Sequence, residues 1–258
     1  MSSERVEGAS GRSAADREPN PGPGAGSGGG PGEPAPGPAN PGGEAQERTW
    51  VYAVVGGIAS GKSTVAAALA GPGGVVLAAD DLAHEALREP EVIARVRERF
   101  GDGVIGADAA PDRTALARVV FDDPGARKAL EGWIHARVRE RLRGGLERAV
   151  RDGAPRVVLD VPLLLENAEE HGLLDRIDLV VFVDAPLEQR ERRATRNRGW
   201  EPGEVARREA AQMPLATKRQ RADVVIDNPD PGERTADGST DDALAARVQI
   251  VRVTLGDA

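Results

Sequence analysis

The chain has 258 residues, no cysteine, three histidines and a formal net charge of −8. That length suits one α/β domain, alone or with a tail; the absence of cysteine excludes a disulfide framework and a thiolate metal site. The acidic balance argues against a surface that coats nucleic acid, and no apolar run approaches the ~18 residues that span a bilayer, so neither a nucleic-acid nor a membrane partner is expected and the location expected is cytoplasmic.

Residues 1–48 hold 12 Gly and 8 Pro but no Leu, Ile or aromatic side chain. Such a segment cannot bury enough apolar surface to offset its ordering entropy, and it reads as a disordered tail. It lacks the apolar centre of a signal peptide and the basic bias of a transit peptide. The folded part, 49–258, opens with the apolar run Val51 to Val55, a buried strand. Gly56-Gly57-Ile58-Ala59-Ser60-Gly61-Lys62-Ser63 follows, matching G-x-x-x-x-G-K-[ST], and helix formers run from Thr64 to Ala70. Strand, glycine loop and helix together predict a phosphate cradle rather than a plain glycine turn. Backbone N–H groups between Gly57 and Thr64 point inward, the helix adds its positive end, Lys62 reaches the outer phosphates and Ser63 holds Mg²⁺. A nucleoside triphosphate is the implied ligand.

Gly74 to Ala79 predicts a second short strand, running into Asp80 and Asp81. Acidic groups at a strand's C-terminal end face the crevice where α/β proteins bind ligands, although either aspartate could instead cap the next helix. Helical patterns then occupy about 82–150. The clearest sets Leu130, Trp133, Ile134, Val138, Leu142 and Leu146 on one face and a series of arginines on the others. Arg156 to Val161 and Asp178 to Val183 predict two more buried parallel strands, a densely charged helix covers Leu187 to Asn197, and a further helix follows the Gly199–Pro202 break through Met213. Val224 to Ile226 supplies a last strand, Pro229 to Thr240 reads as a loop, and Asp242 to Leu255 as a closing helix. Four or five parallel strands alternating with helices predict a three-layer α/β domain in which 82–150 forms an inserted, substrate-facing lobe.

Several separate motifs stand in order along the chain: the Gly-Gly-Ile-x-Ser-Gly-Lys-Ser-Thr loop, Ala79-Asp80, Phe100-Gly101, His135, Val161-Pro162-Leu163-Leu164-x-Glu166, the arginine helix, and Ala222 to Asn228. In that order they resemble the dephospho-coenzyme A kinases. The resemblance spans about Val51 to Asn228. It implies a P-loop kinase fold with a helical lid at 187–213, and ATP- and Mg²⁺-dependent phosphorylation of the ribose 3′-hydroxyl of dephospho-CoA, the last step of coenzyme A synthesis. Asp80 is then the catalytic carboxylate that orients the attacking hydroxyl and contacts the acceptor, with Lys62 and Arg192 assisting transfer. Arg192 and Arg196, one turn apart on the lid helix, are implied phosphate contacts; on spacing alone they could equally belong to a solvated face. His135, Gln212 and Lys218 are implied acceptor-side residues, while spacing alone makes His135 an ordinary half-buried or surface histidine. The chain departs from the family pattern at Ala78, where the first acid of an Asp-Ala-Asp run stands, and at Ala136, where a proline follows the histidine.

Two rivals are another small P-loop kinase, acting on a nucleoside monophosphate or a metabolite, and a nucleotide-binding regulatory switch. A GTPase switch needs Asn/Thr-Lys-x-Asp, and the nearest match, Thr217-Lys218-Arg219-Gln220, lacks the aspartate.

Overall fold

The computed structural model describes residues 48–228 and 243–254. The expected tail, Arg48 apart, and the expected loop 229–240 lie outside these residues, as do Asp242 and Leu255. Arg48 belongs to the fold: it pairs with Asp178 and its guanidinium lies 4.4 Å from the centre of the Trp50 ring.

Five strands form one parallel sheet: β1 (Trp50–Gly56), β2 (Val75–Ala78), β3 (Arg156–Asp160), β4 (Leu179–Asp184) and β5 (Val224–Asp227), in the order β2-β3-β1-β4-β5. β1 is central because its side chains are apolar on both faces, and alternation divides them. Tyr52 and Val54 pack with Val65, Ala66 and Leu69 of α1 (Lys62–Ala70) and with Val248 and Val251 of the C-terminal helix Ala243–Thr254. Val51 and Ala53 face the other way, onto Val138, Leu142 and Leu146 of a 28-residue helix, Pro124–Arg151. Helices therefore cover both faces of the sheet, giving the three layers that the apolar runs predicted.

The stretch between β2 and β3 contains α2 (Ala79–Ala86), α3 (Pro90–Phe100), α4 (Arg113–Asp122) and α5, the long helix Pro124–Arg151. Asp112 caps α4 by accepting from the N–H groups of Thr114 and Ala115, and Asp123 caps α5 through Gly125 and Ala126, with Pro124 at its first position. At 1.5 Å per residue α5 is about 42 Å long, enough to serve two cores. Its C-terminal half packs on the sheet, while Leu130 joins Val92, Val96, Val104 and Leu116 in a separate lobe core. Glu89, beside α3, ties the lobe to α5 by accepting from Arg137 at 2.8 Å and Arg141 at 2.7 Å.

After β3 come α6 (Ala168–His171), β4, α7 (Leu187–Arg198), α8 (Glu204–Glu209) and α9 (Leu215–Gln220), then β5 and α10, the C-terminal helix Ala243–Thr254. The second lid helix ends at Glu209, four residues short of Met213, and the short α9 has no counterpart in the sequence reading. Pro214 stands at the N-cap of α9 and opens it with its fixed φ.

Candidate active site

The glycine loop leaves the C-terminal end of the central strand, between the ends of β3 and β4. Gly56 has φ 146°, and a Cβ there would lie 2.4 Å from the carbonyl oxygen of Val183 on the adjacent strand; Gly61 has φ 90°, and its Cβ would lie 2.1 Å from Nδ2 of Asn228. Only glycine fits either position. Ala59 adopts φ 59° without glycine's freedom, a conformation that costs about 1–2 kcal/mol. The Asn228 amide donates to the Ser60 carbonyl at 2.8 Å, pinning the turn before α1.

Lys62 folds over its own loop, with Nζ donating to the carbonyls of Gly57 at 2.8 Å and Gly56 at 3.3 Å. Burial lowers its pKa to about 8, against the opposing pull of Asp160 and with a smaller push from the charge of Lys218. Ser63 donates its hydroxyl to Oδ2 of Asp160 at 2.6 Å. A hydroxyl beside a carboxylate is a hard oxygen pair of the kind Mg²⁺ accepts, with phosphate and water completing the shell. Among the described residues no cluster of three or more His, Cys, Asp or Glu could hold a metal.

These groups line a cleft of about 1360 Å³ that also takes in Asp80, Asp81, Arg193, Arg196, Trp200 and Gln212. Drug-sized ligands fill about 300–1,000 Å³, so this one space can hold a nucleotide together with an acceptor. Asp80 is exposed in the first turn of α2, whose N-cap, Ala78, makes no side-chain bond. The aspartate is thus free of the capping role and open to the cleft.

Comparison with known proteins bears on what occupies that cleft. The sequence pattern of the family described as dephospho-CoA kinase matches residues 50–232. A Symbiobacterium thermophilum protein named dephospho-CoA kinase is 43% identical over 186 residues, covering 72% of this chain and 76% of that one. Another so named, from Anaeromyxobacter dehalogenans, is 41% identical, covering 76% of this chain and 90% of its own. The chain belongs to the dephospho-CoA kinase family. The crystal structure of TT1252 from Thermus thermophilus, 36% identical, superposes with a TM-score of 0.61 over 82% of this chain and 99% of its own.

Within this dephospho-CoA kinase site the arginines differ from the helix-face expectation. Arg192 is turned to Glu188, one turn back on the exposed side of α7, and does not line the cleft. Its neighbour Arg193 does: it donates to the carbonyls of Ser60 at 3.1 Å, Ala59 at 3.4 Å and Asn228 at 2.7 Å. Arg196 lines the cleft, beside Arg198 and Arg208, whose guanidiniums lie 5.0 and 4.1 Å from the centre of the Trp200 ring. Spacing identified residues that share a face but not the face that meets the loop.

Lys218 is likewise displaced from its expected acceptor-side place and does not line the cleft. It is 1% exposed, paired with Glu166 at 2.7 Å, and it donates to the Gln212 side-chain oxygen at 3.2 Å. Gln212 reaches the cleft, and Lys218 supports it from behind. His135 is exposed on α5 and does not line the cleft; the pKa of His171 is lowered chiefly by burial and then by the charge of Arg139. His84 is an exposed residue of the last turn of α2.

Asp160 carried no expected role, yet its carboxylate accepts from the hydroxyl of Ser63. The signal was present, since Asp160 ends an apolar strand as the aspartates after β2 do. It also pairs in register with Ala78, so the carboxylate absent at 78 has a neighbour on the next strand.

Proposed function

We propose that this chain transfers the γ-phosphoryl group of ATP to the ribose 3′-hydroxyl of dephospho-CoA, forming coenzyme A and ADP. The observation that carries the reading is the single cleft in which Lys62, Ser63 and Asp160 face Asp80, in a chain of the dephospho-CoA kinase family. The loop N–H groups, other than that of Ile58, which donates to Glu209 instead of pointing inward as expected, hold the phosphates together with Lys62. Asp80 orients the 3′-hydroxyl and takes its proton as the new O–P bond forms and the bond to the β-phosphate oxygen breaks. Arg196, with Arg193 behind the loop, stabilises the charge on the migrating group. Mg²⁺, held through Ser63 and Asp160, supplies electrostatic stabilisation of the phosphate oxygens. The acceptor is the only partner the site requires, and a cytoplasmic location belongs to the same reading; among the described residues no helix is long and apolar enough to cross a membrane.

Incubation with MgATP and dephospho-CoA, AMP, adenosine or no acceptor tests this, with ADP release coupled to a spectroscopic readout and the product weighed by mass spectrometry. Coenzyme A is the expected product. Activity with AMP far above that with dephospho-CoA would move the chain to the nucleoside monophosphate kinases.

A further inference from the structure

Arg190 is buried and Glu209 half-buried, and the mechanism above uses neither. Arg190 sits on α7 and Glu209 closes α8; their side chains are 6% and 13% exposed and meet at 2.5 Å. Both also grip the same residue of the phosphate loop. The Ile58 N–H donates to Oε1 of Glu209 at 2.6 Å, and the Ile58 carbonyl accepts from Nη1 of Arg190 at 3.4 Å. Arg190 is itself anchored, its Nε donating to the Ala185 carbonyl at 3.0 Å after β4. A Cβ on Gly57 would come within 2.8 Å of Arg190 Nη1 and 2.9 Å of Glu209 Oε1, so this loop position is small because the pair lies against its backbone.

The gripped residue immediately precedes Ala59, whose φ of 59° is left-handed. A strained non-glycine residue persists only where its surroundings over-determine it. Arg193 holds the Ala59 carbonyl from the far side. We infer that Arg190 and Glu209 form a clamp on Ile58 that holds the loop, Ala59 included, in its nucleotide-accepting shape before ATP arrives. They are positioning residues, and neither lines the cleft. Affinity for a ligand falls by the fraction of molecules in the competent shape, so a loosened clamp weakens ATP binding without removing a phosphate contact.

The inference rests on the reading of the loop as an ATP site. Its test is titration of the full chain with MgATP, without acceptor, by calorimetry at a temperature well below unfolding, alongside melting curves. Glu209→Gln should weaken MgATP binding about 5- to 30-fold, the equilibrium counterpart of releasing one strained residue. Ala59→Gly alone should change affinity little. In the Glu209→Gln background, however, Ala59→Gly should recover most of the lost affinity while leaving the melting midpoint low, because glycine adopts the left-handed shape unaided. A merely structural pair would show no such rescue. Arg190→Lys, which keeps a charge beside Glu209 but loses the guanidinium fork, should repeat the pattern and serves where Glu209→Gln does not fold. Affinity within twofold of the parent in both clamp variants, or a loss that Ala59→Gly does not reduce, would overturn the clamp. Failure of the unaltered chain to bind MgATP would instead overturn the nucleotide reading.

Discussion

The Ser63 hydroxyl and the Asp160 carboxylate are joined by a 2.6 Å hydrogen bond, linking the first turn of α1 to the last residue of β3. The two lie 97 positions apart in the chain, and the parallel pairing of β1 with β3 brings them together. Asp160→Asn keeps an oxygen that can accept from Ser63 but loses the charge. Half-saturation by free Mg²⁺ should therefore rise about 10- to 100-fold, as commonly follows when a group that orients a metal ligand is altered. Turnover measured across a Mg²⁺ titration at saturating ATP checks this, and an unchanged midpoint would remove Asp160 from the metal site.

Lys62 makes nucleotide capture sensitive to alkali. Its pKa in the free protein is lowered to about 8, chiefly by burial; below pH 8 the ammonium is present, and above it the charge that meets the phosphates is lost. kcat/KM for ATP should fall as pH rises through about 8, with proton uptake on binding near that pH. Folding runs the other way. Between about pH 8 and the ordinary lysine value the unfolded chain binds more protons, so this residue's contribution to stability rises with pH across that window. A Lys62→Arg variant, charged throughout, should lose the alkaline fall in kcat/KM, and a profile identical to the parent's would assign the ionisation elsewhere.

Arg193→Ala should be far more damaging than Arg192→Ala. The first removes bonds to three backbone carbonyls around the loop, worth about 1–3 kcal/mol where charged groups are involved. The second removes an exposed i,i+4 pair worth about 0.3–0.5 kcal/mol. Melting midpoints and KM for ATP of the two variants give the ranking directly, and equal effects would contradict the observed orientation of α7.

Asp80→Asn should bind MgATP normally and lose about 10²- to 10⁴-fold in turnover with dephospho-CoA, the usual contribution of a positioned base. Single-turnover formation of coenzyme A after ATP binding separates the two steps. Undiminished turnover would leave the acceptor assignment standing and take Asp80 out of the chemistry.

Much of this was local information. The apolar runs around Val54, Val158 and Val181 announce buried strands because side chains flanked on both faces must all be apolar. The stripe from Leu130 to Leu146 announces a helix because its spacing matches one face. The loop from Gly56 to Ser63 names its ligand because its glycines and lysine have no other common use together. The resemblance added the acceptor, through motifs whose order is itself sequence information. What periodicity could not decide is which partner each face meets. Arg190 and Arg193 rather than Arg192 reach the loop because β4 delivers α7 alongside β1, a relation between segments more than 130 positions apart. Lys218 turned inward for the same reason: α9 packs where Glu166 can neutralise a buried ammonium. Composition and spacing depend on nearest neighbours along the chain, whereas the orientation of a charged side chain depends on the nearest opposite charge in space, and only the assembled fold determines that.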